Sequence, residues 1–268
     1  MKKLLSLPIE LYHNRQLILN LAKNDFKTKY AGSYLGIVWA FIQPIVTILV
    51  YWFVFSVGLK AGNAADYPFV IYLVSGIVPW FFFQDALNGG TNSLIEYNYL
   101  VKKVVFKISI LPIVKIISAL FVHAFFVLFA LILCACYGYY PSLYTLQLIY
   151  YSMCTFLLVL GLVYATSAIV IFFRDLAQII GILLQVGIWL TPIMWDVNML
   201  NDHPALMKFF RFNPIYYIVS GYRDSILGHV GFWEHYKWTI YFWVVTIFLF
   251  VIGSTIFKRL KPHFADVL

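Results

Sequence analysis

The sequence predicts an all-α membrane protein with six transmembrane helices, and three observations carry that prediction. Of its 268 residues, 63% are hydrophobic and only 11% charged, against about 45–50% and about 25% in an ordinary soluble domain. A soluble fold of this length cannot hide so much apolar surface, so the excess faces lipid. Six apolar runs, near 35–58, 69–87, 110–136, 144–172, 176–195 and 238–257, each approach the roughly 20 residues that a bilayer requires. The basic residues behind the net charge of +8 gather at the edges of these runs, where lipid headgroups lie, and form no stripe suited to nucleic acid.

Met1-Lys2-Lys3 resembles the start of a signal peptide, but Leu4-Leu5-Ser6-Leu7 is cut short by Pro8 and a polar stretch follows, so no cleavable leader is expected. Residues 1–33 read as a cytoplasmic interfacial segment. Within 9–30, Ile18, Ala22, Phe26 and Tyr30 recur every four residues while Lys23 and Lys27 lie on another face. That pattern describes an amphipathic helix lying in the membrane surface or packed on another protein. The transmembrane domain takes up 34–258. Pro44 falls inside the first run and Pro192 near the end of the fifth, which predicts local bending. Only Arg174-Asp175 separates the fourth run from the fifth, a cation suited to one helix C-terminus and a carboxylate suited to cap the next. Placed on this topology, 14 of the 19 Lys and Arg residues fall on one side and 5 on the other. The positive-inside rule then puts both termini, including the tail 259–268, in the cytoplasm of a multi-pass protein of the inner or plasma membrane.

Two connections are more than turns. The cytoplasmic one, about 88–109, opens with Asn88-Gly89-Gly90-Thr91-Asn92 and continues with Ser93 and Glu96 at capping-box spacing, which predicts a short helix along the cytoplasmic face. The external one, about 196–237, carries Phe209, Phe210, Phe212, Ile215, Tyr216, Tyr217, Ile218 and Val219 and is too apolar for a solvated loop. Asn213-Pro214 is a helix start and Gly228 a stop. This segment is expected to dip back into the outer leaflet as two short helices, a structure tolerated only where it is buried in protein or lines a cavity.

The sequence lacks the GxxxxGK[ST] loop, a His/Glu zinc motif and a nucleophile elbow, so no P-loop ATP hydrolysis and no metal or covalent catalysis is expected of this chain. Cys134, Cys136 and Cys154 lie in apolar stretches and read as small packing residues. Asp85, at the cytoplasmic end of the second run, and His123 are the ionisable groups that qualify by default as functional candidates. Gln178, Gly181, Gln185 and Trp189 share one face of the fifth run. Two glutamines against lipid are costly, so that face meets a cavity or another helix. Aromatic residues make up 20% of the chain. They serve interfacial belts, and along a wide path they can also stack on sugar rings.

Several motifs carry a resemblance. The run Lys27-Thr28-Lys29-Tyr30-Ala31-Gly32-Ser33-Tyr34-Leu35-Gly36, followed by Trp39 and Pro44, resembles the approach to the first span in polysaccharide-exporting ABC transporter permeases of the teichoic acid, O-antigen and capsule type. Phe173-Arg174-Asp175-Leu176, Thr191-Pro192-Ile193, Asn213-Pro214, Tyr222-Arg223 and the tail from Phe257 to Asp266 extend it over nearly the whole chain in order. The resemblance implies a non-catalytic subunit that pairs with a second copy of itself and with two cytoplasmic ATP-binding-cassette subunits, which hold the ATP and Mg. The chain itself would need no cofactor, and the cargo would be a glycan on a polyprenyl diphosphate. Residues 93–106 would be a coupling helix, with Glu96, Tyr97, Tyr99 and Lys102 at the ATPase and Arg174-Asp175 in a smaller contact. Lys27, Lys29, Tyr30, Ser33, Gly36 and Trp39 would frame the cytoplasmic entrance, meeting either the carrier's diphosphate or anionic lipid. Gln178, Gly181, Gln185 and Trp189 would line the path, and Met194, Trp195, Tyr216 and Tyr217 would close its exit.

Three rival readings are weighed beside this one. The same fold can move a drug or lipid. A secondary transporter would need internal repeats and buried charge, and a membrane enzyme would need clustered carboxylates or histidines; the sequence is poor in all of these.

Overall fold

Long apolar runs form helices in lipid because only a helix satisfies every backbone N–H and C=O within one segment. The computed structural model describes residues 13–60, 63–64, 67–102 and 107–267. Its helices are α1 Arg15–Lys29, α2 Trp39–Trp52, α3 Phe69–Glu96, α4 Asn98–Val101, α5 Leu111–Cys136, α6 Gln147–Val170, α7 Leu176–Leu190, α8 Pro204–Arg211, α9 Pro214–Arg223, α10 Tyr236–Leu260 and α11 Phe264–Val267. A two-residue hairpin, β1 Asn63–Ala64 with β2 Tyr67–Pro68, precedes α3. The chain is therefore an all-α, multi-pass membrane protein.

The central post is α3. In its most apolar window 78% of residues are buried, against 11% for Gly36–Gly58, the segment built on α2. Helices α2, α5, α6, α7 and α9 all pack on α3, while α10 packs on α6. Much of α2 and α7 therefore faces outward, with Val46, Leu49 and Val50 on one and Ile182, Leu183 and Val186 on the other exposed. These are surfaces for lipid or another subunit.

The structure departs from the sequence reading at three places. Among the described residues, five helical segments are long and apolar enough to cross a bilayer by themselves, not six. The predicted span 176–195 is α7, whose 15 residues reach about 22 Å at 1.5 Å per residue, short of a roughly 30 Å hydrocarbon core. Its end has a local cause: Pro192 disfavours the α conformation for the residue before it, and Thr191 is extended at ψ 130°.

The second departure is in the cytoplasmic connection. Residues 88–92 do not open a loop, because α3 runs unbroken to Glu96. Gly90 is required inside it because α6 needs the space: a Cβ there would lie 2.6 Å from Val163 Cγ1. The Ser93/Glu96 capping box accordingly does not form. Ser93 is buried in the last turn of α3 with its hydroxyl unpartnered, and Glu96 pairs with Lys115. The chain breaks only at Tyr97, before the single turn α4; residues 103–106 of the predicted coupling helix lie outside the described residues. Thirdly, Asp175 takes the N-cap position of α7 but its side chain makes no capping hydrogen bond. Asn213, by contrast, caps α9 as the sequence indicates, its Oδ1 accepting from the Ile215 N–H at 3.0 Å. The helical run from Pro214 ends at Gly228.

The α6–α10 crossing is the tightest backbone contact with a readable cause. A Cβ on Gly253 would sit 2.0 Å from the Gly161 carbonyl oxygen, and such small-residue contacts let transmembrane helices approach closely. Gly253→Val is expected to lower stability by about 1–3 kcal/mol, read as a lower unfolding midpoint of the purified chain in detergent. An unchanged midpoint would show that the crossing is not packed as described.

Candidate functional site

Polar side chains at i, i+4 spacing on facing helices build a cavity of about 590 Å³. Gln43, Thr47 and Tyr51 supply one wall from α2, Gln84, Asp85 and Asn88 another from α3, His123 a third from α5, and Gly181 and Gln185 a fourth from α7. Lys29, Tyr30 and Trp39 complete it at one end. Pro44 also lines the cavity, and having no N–H it leaves the carbonyl of Ala40, another lining residue, without its helical donor. An unsatisfied carbonyl in a polar hollow can be met by water or cargo, whereas against lipid it would be costly.

Residues singled out in the sequence thus meet in one place, Lys29, Tyr30, Trp39, Pro44, Asp85, Gly181 and Gln185 among them. His123 joins them, stacked on Phe82 with ring centroids 4.6 Å apart. Its Nε2 lies 2.8 Å from Tyr222 Oη and 3.0 Å from Ser152 Oγ, which ties α5 to α6 and α9. Gln178 and Trp189, predicted on the same stripe of α7, are exposed and away from the cavity, although the Trp189 ring meets Tyr51 at 6.0 Å. Lys27 and Ser33 are exposed, and Gly36 takes a left-handed turn at φ 52°. The sequence reading passed over Gln43, Thr47, Gln84 and Asn88; the i, i+4 repeat of Gln43, Thr47 and Tyr51 inside an apolar run was the available signal.

A second cavity, of about 450 Å³, adjoins the first and is ringed by charge: Asp25, Lys29, Asp85, Glu96 and Lys115, with Tyr97 and Thr28. Lys115 Nζ pairs with Asp25 at 2.6 Å and also with Glu96, and Tyr97 Oη donates to Asp25 Oδ1 at 2.7 Å. The Lys115–Asp25 side chains are 10% and 5% exposed, so removing either partner leaves a buried charge. The Lys29–Asp85 pair is as short, 2.5 Å, but its side chains are 39% and 37% exposed; pairs of that exposure contribute about 0–1 kcal/mol. Glu96 and Tyr97, expected at an ATPase surface, are thus tied inward to α1 and α5. Tyr99 and Lys102 are exposed, as is Glu96 despite its pairing, and Arg174 and Asp175 are exposed on the α6–α7 turn.

At the opposite end, the buried carbonyls of Pro192 and Ile193 accept hydrogen bonds from the two terminal nitrogens of Arg223 at 2.8 and 2.7 Å. The guanidinium lies 3.6 Å over the Tyr72 ring. Burial pulls the Arg223 pKa down, an effect that the nearby tyrosines and acids oppose only in part. Of the residues expected at the exit, Met194 is buried, and Trp195 Nε1 donates to the Trp189 carbonyl at 3.0 Å. Tyr216 and Tyr217 wall a smaller cavity of about 230 Å³ with Arg211, Asp224 and Trp238. Burial raises the Asp224 carboxyl to about 6, although His235 and Arg223 pull it down. Among the described residues no His/Cys/Asp/Glu cluster can hold a metal.

The sequence resembles known proteins over most of its length. The profile of the ABC-2 type transporter family matches residues 16–227. The chain is similar to the O-antigen export system permease protein RfbA of Myxococcus xanthus, 27% identical over 96% of this chain and 97% of the relative. It is 24% identical to the protein of the same name from Klebsiella pneumoniae, over 94% and 95% of the two chains. It is also 20% identical to the polysialic acid transport protein KpsM of Escherichia coli, over 84% and 87%.

Two outcomes test the exit geometry. Arg223→Gln, which cannot satisfy both carbonyls, is expected to destabilise by about 2–5 kcal/mol, and Arg223→Lys to rescue it only in part because a point charge replaces a fork; thermal unfolding in detergent reads both. Folding favours protonated Asp224, since its carboxyl sits near 6 in the fold against 3.8 for the free group. The stability this gives is present below the free value and is lost as pH rises through about 6. Asp224→Asn should therefore flatten the pH dependence of the melting temperature in that window; an unchanged slope would contradict the assignment.

Proposed function

The chain belongs to the ABC-2 type transporter family, and from that premise we propose that it is the permease of an ATP-driven exporter that carries a polysaccharide linked to a polyprenyl diphosphate across the inner or plasma membrane. The observation that carries this reading is the near end-to-end similarity to O-antigen export permeases, on a chain whose interior holds a polar cavity. The substrate path is read as the cavity among α2, α3, α5 and α7, widened by a second copy against the exposed faces of α2 and α7. Gln43, Gln84, Asn88 and Gln185 offer amides to sugar hydroxyls, and Trp39 and Tyr51 offer rings.

In this reading both termini are cytoplasmic, and α7 with the non-helical Thr191–Trp195 makes the sixth crossing, its shortfall covered by surrounding protein. Helix α1 lies in the membrane surface, with Ile18 and Ala22 buried and Phe26 against Phe121 at 6.0 Å. Lys27, Lys29 and Tyr30 frame the cytoplasmic entrance, where cations at headgroup depth suit a diphosphate. The exit is closed by Met194, Trp195, Tyr216 and Tyr217.

ATP binding and hydrolysis, with Mg, are assigned to two partner subunits seated on α4 and the Arg174-Asp175 turn. Work reaches the path mechanically: a shift of Tyr97 moves Asp25 through its hydrogen bond, and Glu96 moves Lys115, so α3, α1 and α5 respond together. The joint variant Tyr99→Ala, Lys102→Ala is expected to cut recovery of a P-loop ATPase with the affinity-purified chain at least severalfold while the chain's own melting temperature holds. Undiminished recovery and export would remove α4 from the interface. Purification from native cells with no P-loop ATPase at all would overturn the exporter reading.

A further inference from the structure

The two cavities meet at one ion pair. Lys29, Asp85 and Ala119 line both, so a group passing from the charged chamber into the polar one crosses the Lys29–Asp85 contact. The charged chamber holds two cations, Lys29 and Lys115, against three carboxylates, Asp25, Asp85 and Glu96. Its wall is therefore net negative with all five ionised, which opposes an incoming anion although lysines are present.

The two lysines are not equivalent. Lys115 is held by two carboxylates in a nearly buried site and is linked through Asp25 to Tyr97; pulling it free strands buried charge. Lys29 has a single carboxylate partner, in a pair more than a third exposed on both sides, where solvent screening leaves the attraction weak. Lys29 is therefore the cation that a better anion can capture. A diphosphate brings more charge and more acceptor oxygens than one carboxylate.

We propose that Asp85 competes with the diphosphate of the carrier lipid for Lys29, holding that lysine until the diphosphate displaces it and the way between the two cavities opens. The inference rests on the carrier reading above and adds to it a device for selectivity. A weakly charged headgroup does not outcompete Asp85, and a diphosphate does. The net negative wall contributed by Asp25 and Glu96 then discourages the anion from settling in the chamber.

The test uses the full chain with its ATPase subunits in phosphatidylcholine nanodiscs, with undecaprenyl diphosphate as probe and phosphatidylglycerol as the anionic-lipid control. Asp85→Asn is expected to lower the Kd for the diphosphate by about two- to fivefold, and Lys29→Gln to raise it. In the Lys29→Gln background, Asp85→Asn should tighten binding clearly less than in the wild type, leaving only the relief of wall repulsion, because the competition is for that lysine; equal tightening in both backgrounds overturns the competitor role. Asp85→Glu, which keeps the counter-ion, should stay close to the wild type, and Asp85→Ser serves as a second neutral variant against misfolding of the first. A wild type that binds the diphosphate while neither neutral variant binds it more tightly overturns the competitor role alone. Equal tightening toward phosphatidylglycerol overturns its selectivity for the carrier. A wild type that binds no polyprenyl diphosphate overturns the carrier reading, and this inference with it.

Discussion

A chain that breaks its helices within an apolar environment must still find donors for the carbonyls it frees, and in this protein Arg223 supplies them. The proline that ends α7 leaves the Pro192 and Ile193 carbonyls buried, and one guanidinium from α9 satisfies both while lying on Tyr72 of α3. Three elements distant in sequence are thereby fixed to one another. With that corner held, α9 packs against α3 and α6, Tyr222 reaches His123, and the polar face of α7 is turned toward α2 and α3. Take the guanidinium away and the Pro192 and Ile193 carbonyls stay buried without their donor, although Tyr72 Oη still reaches the Trp195 carbonyl at 3.2 Å.

The same constraint, that polar groups inside lipid must be satisfied or face a cavity, explains where the cavities are. Amides on α2, α3 and α7 converge because none can face hydrocarbon cheaply, and the volume among them becomes a polar hollow in an otherwise apolar bundle. At one end that hollow meets charge, and there the architecture separates two functions. Lys115, deep and doubly paired, binds α1, α3 and α5 into a unit that can move together. Lys29, shallow and singly paired, is free to exchange partners. Burial, more than residue type, separates the structural cation from the exchangeable one.

Much of this was legible in the sequence, for reasons that can be named. Periodicity and length placed four of the long helices within a few residues, and Asn213-Pro214 announced the start of α9 because an N-cap followed by proline is a local signal that needs no tertiary context. The errors arose where tertiary contacts override local ones. Gly89-Gly90 reads as a chain break, but Val163 across the helix interface demands the missing side chain at Gly90, and α3 continues to Glu96. Ser93 and Glu96 have capping spacing, yet Lys115 claims Glu96. The fifth run looks long enough until Pro192 stops it. Of the site, Lys29, Tyr30, Trp39, Gly181 and Gln185 were found from spacing and motif, whereas the pairing of Lys29 with Asp85 crosses 56 residues of sequence and no local pattern marks it.

These parts amount to a transporter subunit only if the ATPase drives cargo through it. The direct measurement is transport in inside-out proteoliposomes holding this chain and its ATPase subunits, with a polyprenyl-diphosphate-linked glycan supplied outside and its arrival in the lumen scored by protection from an added glycosidase. The account predicts glycan that becomes protected only when ATP is hydrolysed and both subunits are present. Protection by this chain alone without ATP, or ATP hydrolysis with no glycan reaching the lumen, would contradict it.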